Sequence, residues 1–224
     1  MMKRALVVVC ALAAVALFVY LPRSVMDAPL SYNLFITQKI FYYHVPAAIV
    51  MFAGCFVAAI ASGGYLATRK HGWDEVAAAA SWAVVVFGAV VLTTGPIWAR
   101  PAWGVWWTWE ARLTSALLLW LVFVAYGIIR KYGGPGSDRL AAGLAVFGGI
   151  NVPLVYYSVN MWRTMHPTTD VVPSLSPAMR TPFLLGTLAY FAIFAVIVAA
   201  RTAILRGERR FADVQELALD AGVE

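Results

Sequence analysis

The chain has 224 residues, of which 62% are hydrophobic and 12% charged, about half the charged share of an ordinary soluble domain. That balance excludes a soluble globular fold. The net charge of +6 is read below as a topology signal, which removes the reason to propose nucleic acid.

The apolar residues are gathered into six long blocks, at about 5–21, 41–62, 76–97, 113–129, 140–158 and 182–200. Blocks of roughly 18 or more apolar residues are long enough to cross a bilayer. Continuous rather than alternating apolar runs select helices over a barrel. The expected class is therefore all-α: one six-span membrane domain over residues 1–205, followed by a tail over 206–224. The first block follows Lys3 and Arg4 but ends Val19-Tyr20-Leu21-Pro22, without the small-residue pattern of a cleavage site. It reads as a retained anchor.

Lys and Arg in short loops mark the cytoplasmic side. With the N-terminus inside, the inner segments carry Lys3, Arg4, Arg69, Lys70, Arg130, Lys131, Arg139, Arg201, Arg206, Arg209 and Arg210. The outer ones carry Arg23, Lys39, Arg100, Arg112, Arg163 and Arg180. Both termini are expected in the cytoplasm. The inner loops, 68–72 and 130–136, read as plain connectors with Gly and Pro as turn formers. The outer segments, about 22–40, 98–112 and 159–181, are longer and chemically richer. Cys10 and Cys55 fall inside apolar blocks, where a free thiol acts as a small hydrophobe. No CxxC or CxxCH pair is present, which argues against thiol chemistry and covalent haem attachment. In the tail, Phe211, Val214, Leu217 and Ala218 recur at helical spacing. Two readings stay open there: an amphipathic helix on a membrane or partner, and a solvated tail.

The segment Trp98 to Glu110 holds Trp98, Trp103, Trp106, Trp107 and Trp109, five of the chain's nine tryptophans. A helix over 103–110 would put Trp103, Trp106, Trp107 and Glu110 on one face. An interfacial aromatic belt accounts for one or two tryptophans per helix end; this density points to a binding surface. His44 and His166 fall on the same, outer side. His71 sits in a basic inner loop and reads as an ordinary surface residue. Imidazole is a common axial ligand of haem iron, and a flat aromatic wall suits a porphyrin. Arg100, Arg112, Arg163 and Arg180 are candidates for the propionates. For Glu110 two roles stay open: orienting the platform by pairing with Arg112 or loop residues, or stabilising a helix N-terminus through the dipole.

The stretch Trp103-Gly104-Val105-Trp106-Trp107-Thr108-Trp109-Glu110-Ala111-Arg112-Leu113-Thr114-Ser115 closely resembles the tryptophan-rich "WWD" signature of the haem-handling proteins of cytochrome c maturation. The length, the six spans and one outer His on each side of the signature resemble the exporter-C (CcmC) branch of that family, in the bacterial system I pathway. The family usually has Asp where this chain has Glu110, one methylene longer. The resemblance implies axial ligation of haem iron by His44 and His166, with the signature tryptophans supporting a transiently bound haem b. It implies an ABC-type haem export or release complex in the bacterial inner membrane, with ATPase and membrane subunits of the CcmA, CcmB and CcmD types. It also implies delivery to a periplasmic haem chaperone of the CcmE type. The chain reads as a holder of haem, not an enzyme, and it has no nucleotide-binding GxxxxGK[ST] loop. The alternatives are a membrane b-type haem electron carrier, which needs facing His pairs within the spans, and a small-solute permease, which needs ionisable residues at mid-membrane.

Overall fold

A computed structural model describes residues 2–30 and 34–220, leaving aside the side chains of residues 2–4 and 6. The side chains of Lys3 and Arg4 and the last four residues of the tail therefore lie outside the described residues. The described residues form six α-helices: α1 (Met2–Asp27), α2 (Phe41–Thr68), α3 (His71–Trp103), α4 (Ala111–Tyr132), α5 (Ser137–Met161) and α6 (Pro177–Asp220). A short 3-10 helix, Phe35–Ile40, leads into α2. All six are long and apolar enough to cross a membrane, and the described residues contain no strand. Large apolar side chains such as Val9, Leu12, Val19, Ile60 and Ile150 face outward. A water-soluble monomer does not expose a continuous apolar coat of that extent, whereas a bilayer requires it.

The helices run alternately up and down. Short links, 69–70 and 133–136, join them at one end, here the basic end. The 3-10 helix Phe35–Ile40 and the longer segments 104–110 and 162–176 gather at the other, here the tryptophan end. Helix α2 is the spine, packed against α3, α5 and α6, while α1 lies on α6 and α4 on α5. The core runs through Val50, Met51 and Cys55 of α2, Val84 and Phe87 of α3, Phe123 of α4, Val152 of α5 and Phe194 of α6. Without a hydrophobic drive between helices in lipid, small residues set how closely backbones approach. A Cβ on Gly149 would come within 2.4 Å of the Ala59 Cβ, so α5 reaches α2 only because that position is Gly.

Two polar devices fix the ends. At the tryptophan end, the buried Lys39 ammonium donates to the carbonyls of Val25, Met26 and Ala28 at 2.7, 3.3 and 2.5 Å. It closes the C-terminus of α1, where orphan carbonyls and the helix dipole both favour a cation. At the basic end, Glu75 of α3 is buried and ion-paired to Arg206, at 3.0 Å, and to Arg209. Helix α6 continues unbroken through this contact, so the tail is helical as far as Asp220. Its Phe211, Val214 and Leu217 remain exposed.

Candidate haem-handling site

The tryptophan-rich segment divides at Gly104. Trp98 and Trp103 belong to the last turns of α3, and the helix ends where Gly104 takes φ +80°, with its N–H on the Arg100 carbonyl at 3.0 Å. Left-handed backbone is what Gly supplies at a helix end. The Arg100 guanidinium donates back to the Gly104 carbonyl. Residues 105–110 then run without helix, and α4 begins after Glu110, whose backbone is extended. The expected helical face over 103–110 is therefore not formed. The i, i+3, i+4, i+7 spacing is real, but Gly104 ends the helix before it can act.

The end of α3 and the loop nevertheless bring part of the aromatic set to one place, Trp98 and Trp103 from the helix and Trp107 from the loop. Two adjoining cavities, of about 650 and 860 Å³, share His44, Trp98, Arg112 and His166 in their walls, together with Ala48 and Phe52. Trp103 and Trp107 line the first cavity. Trp106 and Trp109 lie outside both, 59% and 77% exposed. Met51 of α2 and Val91, Leu92 and Gly95 of α3 also line the first cavity, and Tyr156 and Val159 of α5 the second.

The histidines come from different kinds of element. His44 is buried in the first turn of α2, edge-on to Trp98 with ring centroids 5.9 Å apart. His166 is on the loop between α5 and α6, with Trp103 at 6.3 Å. Both imidazoles engage their Nδ1. For His44 the partner is Thr94 Oγ1 at 2.8 Å, and for His166 it is the Pro167 carbonyl at 2.9 Å. The tautomers follow from the partners. Thr94 has one hydroxyl proton and donates it to the Val90 carbonyl at 2.7 Å, so towards His44 it accepts. A carbonyl can only accept. Each Nδ1 therefore carries the proton, and each Nε2 is left with an open lone pair. No hydrogen bond among the described residues occupies either Nε2. A metal-ligating imidazole needs this arrangement, with the far ring nitrogen held by an acceptor. Burial pushes the His166 imidazole below its ordinary range; the nearby Arg112 guanidinium adds to this, and the Pro167 carbonyl and Glu110 oppose it. Neutral imidazole is the ligating form.

Glu110 does not hydrogen-bond Arg112. Its Oε2 accepts the backbone N–H of Met165 at 2.8 Å, tying the tryptophan loop to the residue before His166. The His166 N–H is held in turn by Thr164 Oγ1 at 3.0 Å. Arg112 instead donates to the carbonyls of Val155 and Tyr156 on α5, at 2.6 and 3.0 Å, with its guanidinium over the Phe52 ring. Arg180 spends its guanidinium on the carbonyls of Leu175 and Pro173. Arg163 is exposed. Of the four arginines considered, only Arg112 faces the cavities. Several buried polar atoms here lack a partner among the described residues: the indole nitrogens of Trp98 and Trp107, Thr108 Oγ1, Thr114 Oγ1 and Glu110 Oε1. Unsatisfied buried donors beside a cavity are costly unless a ligand meets them.

A family model described as "Heme exporter protein C" matches residues 1–215. The chain belongs to that family. Among curated relatives, the heme exporter protein C of Escherichia coli (strain K12) is 37% identical over 205 residues, covering 87% of this chain and 82% of the relative. That of Bradyrhizobium diazoefficiens is 36% identical over 187 residues, or 80% and 71% of the two chains. The protein of the same name in Paracoccus denitrificans (strain Pd 1222) is 31% identical over 191 residues, or 82% and 79%.

Three contributors were not singled out by sequence reasoning. Thr94 and Pro167 fix the imidazole tautomers. Gly95 lies under His44, where a Cβ would stand 3.4 Å from the ring's Cε1. The signal for the first and third was present in Thr93-Thr94-Gly95-Pro96, a polar and helix-weakening run inside an apolar block.

Proposed function

We propose that this protein holds haem at the tryptophan end of the bundle and passes it on for the biogenesis of c-type cytochromes. The observation that carries the reading is the pair of histidines in shared cavities, each with Nδ1 occupied and Nε2 open. In this reading the two Nε2 atoms ligate the iron. Trp98, Trp103 and Trp107 wall the ring, and Trp106 and Trp109 extend the aromatic surface beyond the cavity. Arg112 supplies the buried positive charge for a propionate, helped by the orphaned indole N–H groups. Arg100, Arg163 and Arg180 shape or border the approach. Glu110 positions His166 through Met165. Such an array binds and orients; it contains no group that must transfer atoms, so the chain acts as a carrier, not an enzyme. His166 sits on a loop rather than on a span, which favours this reading over a b-type electron carrier.

The membership of a haem exporter family supports an ABC-type complex with ATPase and membrane subunits of the CcmA, CcmB and CcmD types. A periplasmic chaperone of the CcmE type takes the haem. The concentration of Lys and Arg at the basic end supports a bacterial inner-membrane location with both termini cytoplasmic and the site periplasmic. Release requires at least one iron–histidine bond to break. The test is the haem that co-purifies with His44→Ala and with His166→Ala, read by Soret absorbance on protein whose monodispersity matches the parent. Both variants are expected to lose most of the signal. Undiminished Soret absorbance in both would overturn the assignment.

A further inference from the structure

The basic end carries a second feature, independent of the haem reading. Helices α4 and α6 both pack on neighbours but barely on each other. Between them, floored by α3, lies a cleft of about 1190 Å³. Its inner wall is apolar, with Phe123, Val124 and Val85, and Trp82 stands at its edge, half exposed. Its rim is cationic, formed by Arg130, Lys131 and Arg201. Arg130 is answered by Asp74 in a two-pronged ion pair at 2.5 and 2.8 Å. Lys131 and Arg201 have no acidic partner among the described residues.

The need for basic loops on one side of a membrane does not explain Arg201. It lies within α6, five residues before Arg206, and so about 7.5 Å deeper along the helix. The two α3 acids of this region are already taken, Glu75 by Arg206 and Arg209 and Asp74 by Arg130. An unpaired guanidinium at that depth is costly and calls for an anion. An apolar slot with two cations at its mouth that lack an acidic partner among the described residues, Lys131 resting over the Tyr132 ring at 5.1 Å, matches an acyl chain below a phosphate headgroup. Basic pockets between spans are a known physical form of acidic-lipid recognition.

We propose that the cleft between α4 and α6 binds an acidic phospholipid, its headgroup phosphate held by Lys131 and Arg201 and its acyl chain lying along Phe123 and Val124. The test is native mass spectrometry of the delipidated full chain in mild detergent, titrated with phosphatidylglycerol or with phosphatidylcholine of the same acyl chains. Phosphatidylglycerol is expected to bind preferentially. A charge near the membrane surface is worth about fivefold in affinity, so Lys131→Gln with Arg201→Gln should weaken it about 25-fold and leave phosphatidylcholine unchanged. Lys70→Gln with Arg139→Gln, at the same end but outside the cleft, should change it less than threefold. Gly127→Phe offers a variant with no change of charge: Gly127 lines the cleft and a Cβ there meets nothing within 4 Å. Filling the slot should also displace the lipid. No preference between the two lipids, equal losses in the control pair, or undiminished binding in Gly127→Phe would each overturn the proposal.

Discussion

Replacing Thr94 by Val keeps the side chain's shape and branching but removes the one group that dictates the His44 tautomer. In the parent, the Thr94 oxygen accepts from Nδ1–H at 2.8 Å while its own proton goes to the Val90 carbonyl. In Thr94→Val, a proton left on Nδ1 is buried without an acceptor. The imidazole can escape that cost by moving the proton to Nε2, which abolishes the lone pair proposed to meet iron. The smaller bound on the effect is the loss of one part-buried neutral hydrogen bond, about 1 kcal/mol, or roughly fivefold in affinity. The larger bound is the loss of an outer partner to a metal-ligating histidine, about 10- to 100-fold. Haem titration followed at the Soret band should therefore show binding weakened by about 5- to 100-fold. Thr94→Ser keeps the hydroxyl and should lie within about threefold of the parent. If Thr94→Val binds haem as tightly as the parent, with an unchanged spectrum, the tautomer argument is wrong.

Glu110→Ala removes the acceptor for the Met165 N–H and should weaken haem retention about 10- to 100-fold, the worth of a charge-assisted hydrogen bond; Glu110→Gln, which keeps an acceptor oxygen, should recover most of it in the same titration. The His166 imidazole is held below its ordinary range, so the unfolded chain takes up its proton first as pH falls. Its contribution to stability is complete above about pH 6.5 and drains away below that, towards the lower folded value. Melting curves between pH 7.5 and 5 should slope downward on acidification, and more shallowly in His166→Asn. Lys39→Met leaves three helix-end carbonyls without their cation, and should cost about 3 kcal/mol, or a melting midpoint about 6–12 °C lower, in detergent.

The spans were legible because lipid imposes one simple demand, a long apolar stretch, and the composition meets it six times. The tryptophans, and the histidines that flank them in the chain, were legible as chemistry out of place. What the sequence hid was pairing across distance. Thr94 stands out as polar within an apolar helix, but nothing marks it as the partner of a histidine 50 positions away. Lys39 reads as one basic residue among the outer segments; its carbonyl partners stand 11 to 14 residues earlier and converge only because α1 stops beside it. The helical spacing across 103–110 misled for a local reason. Periodicity describes which side chains would share a face, but Gly104 decides whether the helix exists, and that is a property of one φ angle.

The two histidines are mounted unequally. His44 is part of a helix in the spine of the bundle, so moving it means shifting α2 against three neighbours. His166 rides on a loop held by three local hydrogen bonds, through Thr164, Glu110 and Pro167. A ligand clamped between them rests on an anvil at one side and a spring clip at the other. If the two imidazoles ligate the iron as proposed, opening would be directional: the clip would yield while the anvil stays, and the cargo would remain tethered at one iron bond until an acceptor arrives. Competing imidazole should accordingly enter at the His166 side.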